Sequence, residues 1–479
     1  MRTLLISTYP DFCVGLRYIA SFLEKYNHTV FLEKINPLEG KELIKVIKKF
    51  KPKVVGFTCY TRKVWDVLNA AALVKHFFPH VKIVLGNIHA TVFYRTILRE
   101  FLFVDYVVLG EGEVPMKQLL EYLAGSRLID DVCNIAYRDQ NGNVNRTKRL
   151  EIFPNLDDLS DHPKLSMKKE LVVAHYHKIS YLFKGNRFKY QDKTDIVTSR
   201  GCPYDCDYCS EACMTDHRWR AQSPEKVVDS IERIHKIYNI SHFNFQDALF
   251  TLDKERVKKI CEKINNRGLK VTWSFQTHPK HIDEKLIRII KQGGCVHFNI
   301  GIDCSTGLAM HAHRKIKIDY VYLAKVIRLA KALGLTVRAN FITGWWGECF
   351  KNVFETARHI KRLRPTHISI YPLQLIPGSK LYNKAIKEKL IDDSYWLDKK
   401  NSPFYLGIFL GRQSNIKNNI ILKVQKFILS WVYIFYCRNI KGLICLFIYA
   451  VECKFNDYFN FVHNYFFIQR RSRKFHDYS

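Results

Sequence analysis

The sequence predicts an α/β protein: an open parallel sheet, then a partial (β/α)6 barrel, then a helical C-terminal extension. Three observations predict it. Strand-like runs alternate with helical ones through the first third. The same β-then-α alternation resumes at Thr194 and runs for six strands. Beyond Asn401 the composition shifts to Phe, Tyr, Ile and Lys. The 479 residues exceed a soft prior of ~150 residues per domain. Four segments are expected: 1–125, a linker over 126–193, 194–385 and 386–479.

In the first segment, strands are expected at Thr3–Ser7, Thr29–Leu32, Val54–Thr58, Val81–Leu85 and Tyr106–Leu109. Helical patterns lie between them at Gly15–Lys25, Leu43–Phe50, Val64–His76, Val92–Glu100 and Val114–Leu123. Parallel sheets of this kind bind ligands at the carboxyl ends of their strands. The loops there are Thr58–Thr61, Gly86–Thr91 and Gly110–Glu113. Thr58 and His89 offer hydrogen bonds; Gly86 and Gly110 permit close backbone approach. A short loop, Tyr9–Phe12, follows the first strand.

The linker carries one strong local signal. Asn141-Gly142 stands between Asn134–Arg138 and Val144–Arg149, which predicts a β-hairpin. The polar run Asp157–Pro163 has no period.

In the middle segment, strands are expected at Asp195–Ser199, His242–Gln246, Val271–Gln276, Val296–Ile302, Thr336–Ile342 and His367–Tyr371. Helices are expected at Ser223–Ile237, Asp253–Asn266, Asp283–Lys291, Asp319–Leu333 and Cys349–Leu363. The first is well marked, with Ser223 as cap, Pro224 at its first position and Val227, Ile231 and Ile234 on one face. Six strands leave the ring open on one side. Chemistry in such barrels sits at the carboxyl ends of the strands.

The run Cys202-Pro203-Tyr204-Asp205-Cys206-Asp207-Tyr208-Cys209 follows the first of these strands. Its three thiols stand at C-x3-C-x2-C spacing, enough for three irons of a [4Fe–4S] cube. A four-cysteine site closes every iron; three leave one iron open to a small molecule. Tyr208 is placed to pack beside the cluster or a bound cofactor. The competing reading is structural zinc, which wants four ligands, with Cys213 or His217 as the fourth.

This motif and its context resemble the radical S-adenosylmethionine (radical SAM) superfamily over roughly residues 1–385. Gly86/His89/Ala90/Thr91 and Gly110-Glu111-Gly112-Glu113 match turns of the Rossmann-like cobalamin-binding domain that precedes many of its TIM-type partial barrels. The Asp-x-His-x-x-Gly signature is absent, as in many radical SAM relatives. The resemblance implies a [4Fe–4S] cluster on Cys202, Cys206 and Cys209, with S-adenosylmethionine (SAM) at the open iron. It implies cobalamin contacts at Thr58, Gly86, His89, Gly110 and Glu111. It implies SAM contacts at Asp247, Gln276, Asp303, Arg338, Asn340 and Gly344. Two departures stand out. Gln246-Asp247 replaces a pair of acids, and Gly344-Trp345-Trp346-Gly347-Glu348 replaces Gly-Leu-Pro-Gly-Glu. The two tryptophans offer an apolar wall for adenine or substrate, or ordinary packing.

By the same resemblance SAM is cleaved to a 5′-deoxyadenosyl radical that abstracts hydrogen from the substrate. C-methylation of a lipid or secondary metabolite is expected, with an electron donor such as flavodoxin or ferredoxin. Two alternatives stand beside it: a ring-forming, tetrapyrrole-type enzyme, and a non-catalytic zinc or iron–sulfur protein.

Charge and composition bound the partners. Lys and Arg outnumber Asp and Glu by 76 to 45, a net +31. That predicts affinity for anions such as phospholipid, nucleic acid or a phosphorylated substrate, or a solvated basic surface. Fourteen cysteines without a signal-peptide pattern predict a reducing, cytoplasmic setting. No run reaches the ~18 uncharged apolar residues of a spanning helix. The last segment, rich in aromatics and cations, suits a helical cap on the barrel or peripheral contact with the inner membrane face. No nucleic-acid recognition fold accompanies the basic tail Arg470–Lys474.

Overall fold

The computed structural model describes residues 1–8, 14–34, 40–148, 155–158, 193–303, 318–345, 348, 350–389 and 391–397. The first unit runs β1 (Arg2–Ser7), α1 (Val14–Lys25), β2 (Thr29–Lys34), α2 (Gly40–Phe50), β3 (Val54–Thr58), α3 (Val64–Phe77), β4 (Lys82–Gly86), α4 (Ile88–Glu100), β5 (Tyr106–Val108) and α5 (Glu113–Leu123). Its strands follow the order β2-β1-β3-β4-β5, all parallel. All five residues of β3 are buried, as a central strand covered on both faces requires. Leu5 packs with Leu16, Leu23 and Leu119 on the α1/α5 side. Leu4 and Ile6 pack with Leu43, Val67 and Ile97 on the α2–α4 side.

Two boundaries differ from the sequence reading. The hairpin β6 (Ile135–Arg138) and β7 (Val144–Arg146) does not stand alone in a linker. It extends the first sheet antiparallel beyond β5. Its turn is held by the Asp139 carboxylate, which accepts from the backbone N–H groups of Asn141 and Asn143. Helix α4 also starts early. Asn87 sits at φ 82° and its side chain accepts from the Ile88 N–H, so His89, Ala90 and Thr91 form the first helical turn rather than a loop.

The second unit runs β8 (Lys193–Ile196), β9 (Ser199–Arg200), α6 (Glu211–Thr215), β10 (Arg220–Ala221), α7 (Pro224–Tyr238), β11 (His242–Phe245), α8 (Lys254–Asn266), β12 (Thr272–Thr277), α9 (Glu284–Gln292), β13 (Cys295–Asp303), α10 (Tyr320–Ala332), β14 (Thr336–Thr343), α11 (Phe350–Leu363), β15 (His367–Pro372) and α12 (Lys380–Lys387). Six strands form one parallel sheet in the order β15-β14-β13-β12-β11-β8. The sheet has two free edges, as an open partial barrel must. Ser223, Asp253, Asp283 and Asp319 each cap the helix that follows. Each cap contributes about 1 kcal/mol. The outer face is aromatic: Phe245 stacks on Trp273, and Phe275 on Phe298.

The two units are bonded side by side. Helix α1 of the first covers the free edge of β8. Arg17 is 2% exposed, and its guanidinium donates to Thr194 Oγ1 at 3.2 Å and the Asp195 carbonyl at 3.3 Å. The Tyr18 hydroxyl donates to the Val197 carbonyl and accepts from its N–H. After the barrel the chain returns to the first unit. Leu375, Tyr382, Ala385 and Trp396 join the α3/α4 core. The loop Tyr9–Phe12, the run 159–192, Trp346, Gly347 and the extension 401–479 lie outside the described residues.

Covering an exposed strand edge with buried donors predicts a measurable loss on truncation. Arg17→Ala is expected to lower stability by about 2–4 kcal/mol, read as a lower urea midpoint in circular dichroism. An unchanged midpoint would show that the α1–β8 contact does not hold the units together.

Candidate active site

The cysteine loop is a short excursion closed at its neck. β9 and β10 pair antiparallel, placing Arg200 opposite Arg220. Inside the neck Gly201 sits at φ +84°, and a Cβ there would meet the Arg218 carbonyl oxygen at 2.1 Å. No L side chain fits that backbone or that space. Cys209 N–H then donates to the Cys206 carbonyl at 3.1 Å. The Glu211 N–H donates to Cys209 Sγ at 3.4 Å, a contact that favours a thiolate.

None of the three thiols is in a disulfide, and all are partly accessible. Burial pushes the Cys206 thiol up to about 12, and the neighbouring Cys209, Asp303 and Cys202 push the same way. Cys209 is raised to about 11, by burial and then by Glu211 and Cys202, although the Glu211 N–H opposes the rise. The thiols therefore crowd one site, where cationic irons would relieve their mutual repulsion. Among the described residues no three His, Cys, Asp or Glu side chains converge as a single ion requires. A cube asks for something different, one thiolate per iron. Cys213 and His217 are engaged elsewhere: Cys213 lies against Gly378, and His217 faces Asp205 at 3.7 Å. The donor set fits the cube.

The loop is held from two sides. Glu113 pairs with Arg200 at 2.5 Å, and Glu111 takes a bidentate pair from Arg220 at 2.6 and 3.1 Å. Lys380 at the start of α12 pairs with Asp205, and the Leu381 N–H donates to the Asp207 carbonyl. Gly110, at φ +76°, comes within 3.8 Å of the Met214 carbonyl, measured from an added Cβ. The strand ends of the first sheet therefore face the cysteine loop.

Three of the expected cofactor contacts have side chains engaged within the protein. Glu111 is spent on Arg220 and Arg200. Asp247 is fully buried; its carboxylate accepts from the Thr198 N–H, Thr198 Oγ1 and Ser199 Oγ at 2.6–2.7 Å. It braces the neck from behind, while Gln246 is the exposed residue at that strand end. His89 is 2% exposed, with Nδ1 3.3 Å from Thr61 Oγ1 and Phe93 and Trp396 around the ring. Burial lowers its pKa to about 3, so it stays neutral.

The remaining positions line the strand ends. Thr58 Oγ1 accepts from Asn87 Nδ2 at 3.0 Å. Gly86 closes β4, with room for a Cβ only at contact with Val108. Asp303 sits at φ +58° beyond a register shift in β13, and the Tyr208 hydroxyl donates to it at 2.5 Å. Gln276 donates to the Asp247 carbonyl. Gly344 N–H and Thr343 Oγ1 both donate to the Glu348 carboxylate. Trp345 is buried, edge-on to Tyr208 at 5.6 Å. Arg338 and Asn340 share the inner face of β14. Sequence reasoning missed Tyr204, which bonds His281 and packs on His278. Nothing in spacing marks that trio.

Two orphaned groups test the fit of the larger cofactors. The buried side-chain oxygen of Asn340 has no partner; it stands on the inner wall, where it can accept from a ribose hydroxyl. The buried hydroxyl of Thr8, just past β1, also has none; it stands at the strand ends that would receive cobalamin. Leaving such groups unmatched costs about 1–3 kcal/mol each, which a ligand would offset.

Two outcomes follow from the neck. Gly201→Ala should leave all three cysteines in place yet at least halve the iron bound per chain after anaerobic reconstitution. Full iron content would refute the steric argument. For Glu113, burial raises the carboxyl pKa but Arg200 outweighs it, leaving it below the usual range. Its contribution is therefore complete above an unfolded pKa of about 4.3 and is lost as pH falls through the folded value. Thermal midpoints should drop more steeply below about pH 4.3 in the native protein than in Glu113→Gln. Parallel curves would count against it.

Comparison with known proteins agrees with this geometry. A family model for the B12 binding domain matches residues 9–120, and one for the radical SAM superfamily matches residues 196–360. An uncharacterised methyltransferase of Pyrococcus horikoshii is 28% identical over 386 residues, covering 80% of each chain. The anaerobic magnesium-protoporphyrin IX monomethyl ester cyclase of Rubrivivax gelatinosus is 27% identical over 357 residues, covering 73% of this chain and 61% of the cyclase. The radical SAM methyltransferase TsrM of Kitasatospora setae superposes with a TM-score of 0.68 at 17% identity, covering 81% of this chain and 76% of its own. That likeness shows the fold alone. With three thiols at the required spacing and two strand-end rims turned toward each other, this chain belongs to the radical SAM superfamily and carries an N-terminal B12-binding domain.

Proposed function

We propose that this enzyme transfers a methyl group to carbon on a small-molecule substrate, using SAM and cobalamin. The single observation that carries the reading is the facing of the two rims. Gly110 of the first sheet meets Met214 beside the cysteine loop, so a group held on one rim reaches a group held on the other. Cys202, Cys206 and Cys209 would hold the cluster. Asn340, Asp303 and Gln276 would contact SAM, and the strand ends around Thr8, Thr58, Gly86 and Gly110 would hold cobalamin. When bound, the cluster supplies an electron to break the carbon–sulfur bond of SAM, and cobalamin carries the methyl group.

The chain's own contribution is positional. The Glu211 N–H favours the thiolate form of Cys209. Tyr208 fixes the Asp303 carboxylate beside the loop, so an acceptor for ribose hydroxyls is aimed before SAM arrives. The return of α12 onto the loop fixes its outer side through Lys380 and the Leu381 N–H. We infer an external electron donor, a cytoplasmic setting, and membrane-face contact by the basic C-terminal extension. Among the described residues no helix is long and apolar enough to cross a membrane.

A second reading, ring formation, is favoured by the similarity to the Rubrivivax cyclase. Anaerobic incubation with SAM and dithionite separates the two. Methyl transfer is expected to yield S-adenosylhomocysteine alongside 5′-deoxyadenosine; ring formation yields the latter without the former. Cys202→Ala, Cys206→Ala or Cys209→Ala should each reduce 5′-deoxyadenosine release at least a hundredfold and abolish the brown absorbance. Four irons bound by a triple-alanine protein would end the assignment.

A further inference from the structure

The two faces of the barrel sheet differ in kind. Outward residues such as Phe243, Phe275, Phe298 and Phe341 are buried under the helices. Their alternates on the inner face are polar: Asn244, Ser274, Asn299, Arg338 and Ser369 stand in adjacent strands. A closed barrel of this type is packed with branched apolar side chains; this one is a polar bore. Hydrocarbon alone would find no partner against that wall.

Among the described residues, Arg338 in the bore has no counterion. Arg338 is half-buried on β14 and has no carboxylate partner among the described residues. The inner faces of β13, β14 and β15 carry no Asp or Glu below Asp303. Among the described residues, Asp195 and Asp303 reach the bore and are already bonded: Asp195, four strands away, to Asn244 at 2.7 Å, and Asp303 to Tyr208. In register, Arg338 stands beside Asn299, whereas Asp303 stands beside Phe341. Three strand positions, about 10 Å, therefore separate Arg338 from the level of the cysteine loop. That depth sets it below Asp303 and Asn340 and level, across Asn299, with Gln276.

A partly desolvated guanidinium without an anion is costly, and its planar fork suits two oxygens of one oxyanion. We propose that Arg338 is the docking cation for an anionic group of the substrate, a carboxylate, phosphate or phosphonate on a polar small molecule. This rests on the reading of the bore as the substrate site of a radical SAM enzyme, and it replaces the expectation that Arg338 contacts SAM. It also narrows the substrate away from unfunctionalised lipid.

The test uses the full chain, reconstituted anaerobically, at about 0.15 M salt to screen the basic surface. Methylphosphonate and acetate are titrated separately, followed by NMR line broadening, against native protein, Arg338→Gln and Arg338→Lys. SAM affinity, iron content and circular dichroism are measured on the same samples. Native protein should bind at least one of the two anions saturably. Arg338→Gln should weaken that anion at least tenfold, and Arg338→Lys less. SAM affinity should stay within twofold and iron at four per chain. The anion bound more tightly identifies the phosphorus or carboxylate class. Unchanged anion binding in Arg338→Gln, or no saturable binding to native protein, overturns the proposal. So does loss of SAM affinity in Arg338→Gln, which would make the residue a cofactor contact. Native protein that holds neither iron nor SAM would strike the broader reading, while the anion titration still reports on Arg338.

Discussion

Two arginines at the neck of one loop grip two glutamates at the strand end of another sheet, and the architecture depends on that grip. Arg200 and Arg220 lie directly opposite in a two-residue ladder. Glu111 and Glu113 lie on the turn after β5 and at the start of α5. Both pairs are largely shielded from water, where breaking one partner leaves an uncompensated charge. Buried ion pairs are weak evidence for stability but good devices for register. Here the register matters, because it sets which strand ends face the cysteine loop.

The rest of the site is arranged around that neck. Asp247 and Arg256 lie behind it, tying Thr198, Ser199 and Gln222 into one buried network. Lys380 and Leu381 hold the outer side of the loop. Arg17 and Tyr18 fasten α1 to β8, the strand that delivers the chain into the loop. Every contact fixes backbone position rather than offering a free ligand. Placement of a cluster, a sulfonium and a substrate within reach of one another is a matter of geometry first, and here the geometry is set by charge pairs and buried hydrogen bonds.

This explains why acids singled out from the sequence divided as they did. Acidic residues at strand ends are candidates for ligand contact, because strand ends are where ligands bind. Glu111 and Asp247 turned out to brace the scaffold, whereas Asp303 remains at the rim under the Tyr208 hydroxyl. Parity along a strand separates Gln246 from Asp247, exposing one and burying the other. Parity was readable; the partner waiting on the buried side was not, since Thr198 is 49 residues away. His89 is a similar case. An early helix start at Asn87 carried it into the core, where Trp396, more than three hundred residues later in the chain, packs on it.

Local signals in the chain determined a good deal. Alternation of strand and helix defined both parallel sheets, because buried parallel strands read as apolar runs and their helices as amphipathic periods. The helix starts expected at Ser223, Asp253, Asp283 and Asp319 fall within a residue of the observed ones, because a cap is a bond between near neighbours. Three thiols seven residues apart end to end announced the metal chemistry, since a cube's corners are set by short spacing. Only the tertiary structure decided the rest: that the hairpin joins the first sheet, that two glutamates clamp two arginines, and that Arg338 faces a polar bore with no carboxylate partner among the described residues. Those facts depend on pairs of residues remote in sequence. No period or spacing encodes which remote partner will satisfy a buried charge, and packing alone chooses it.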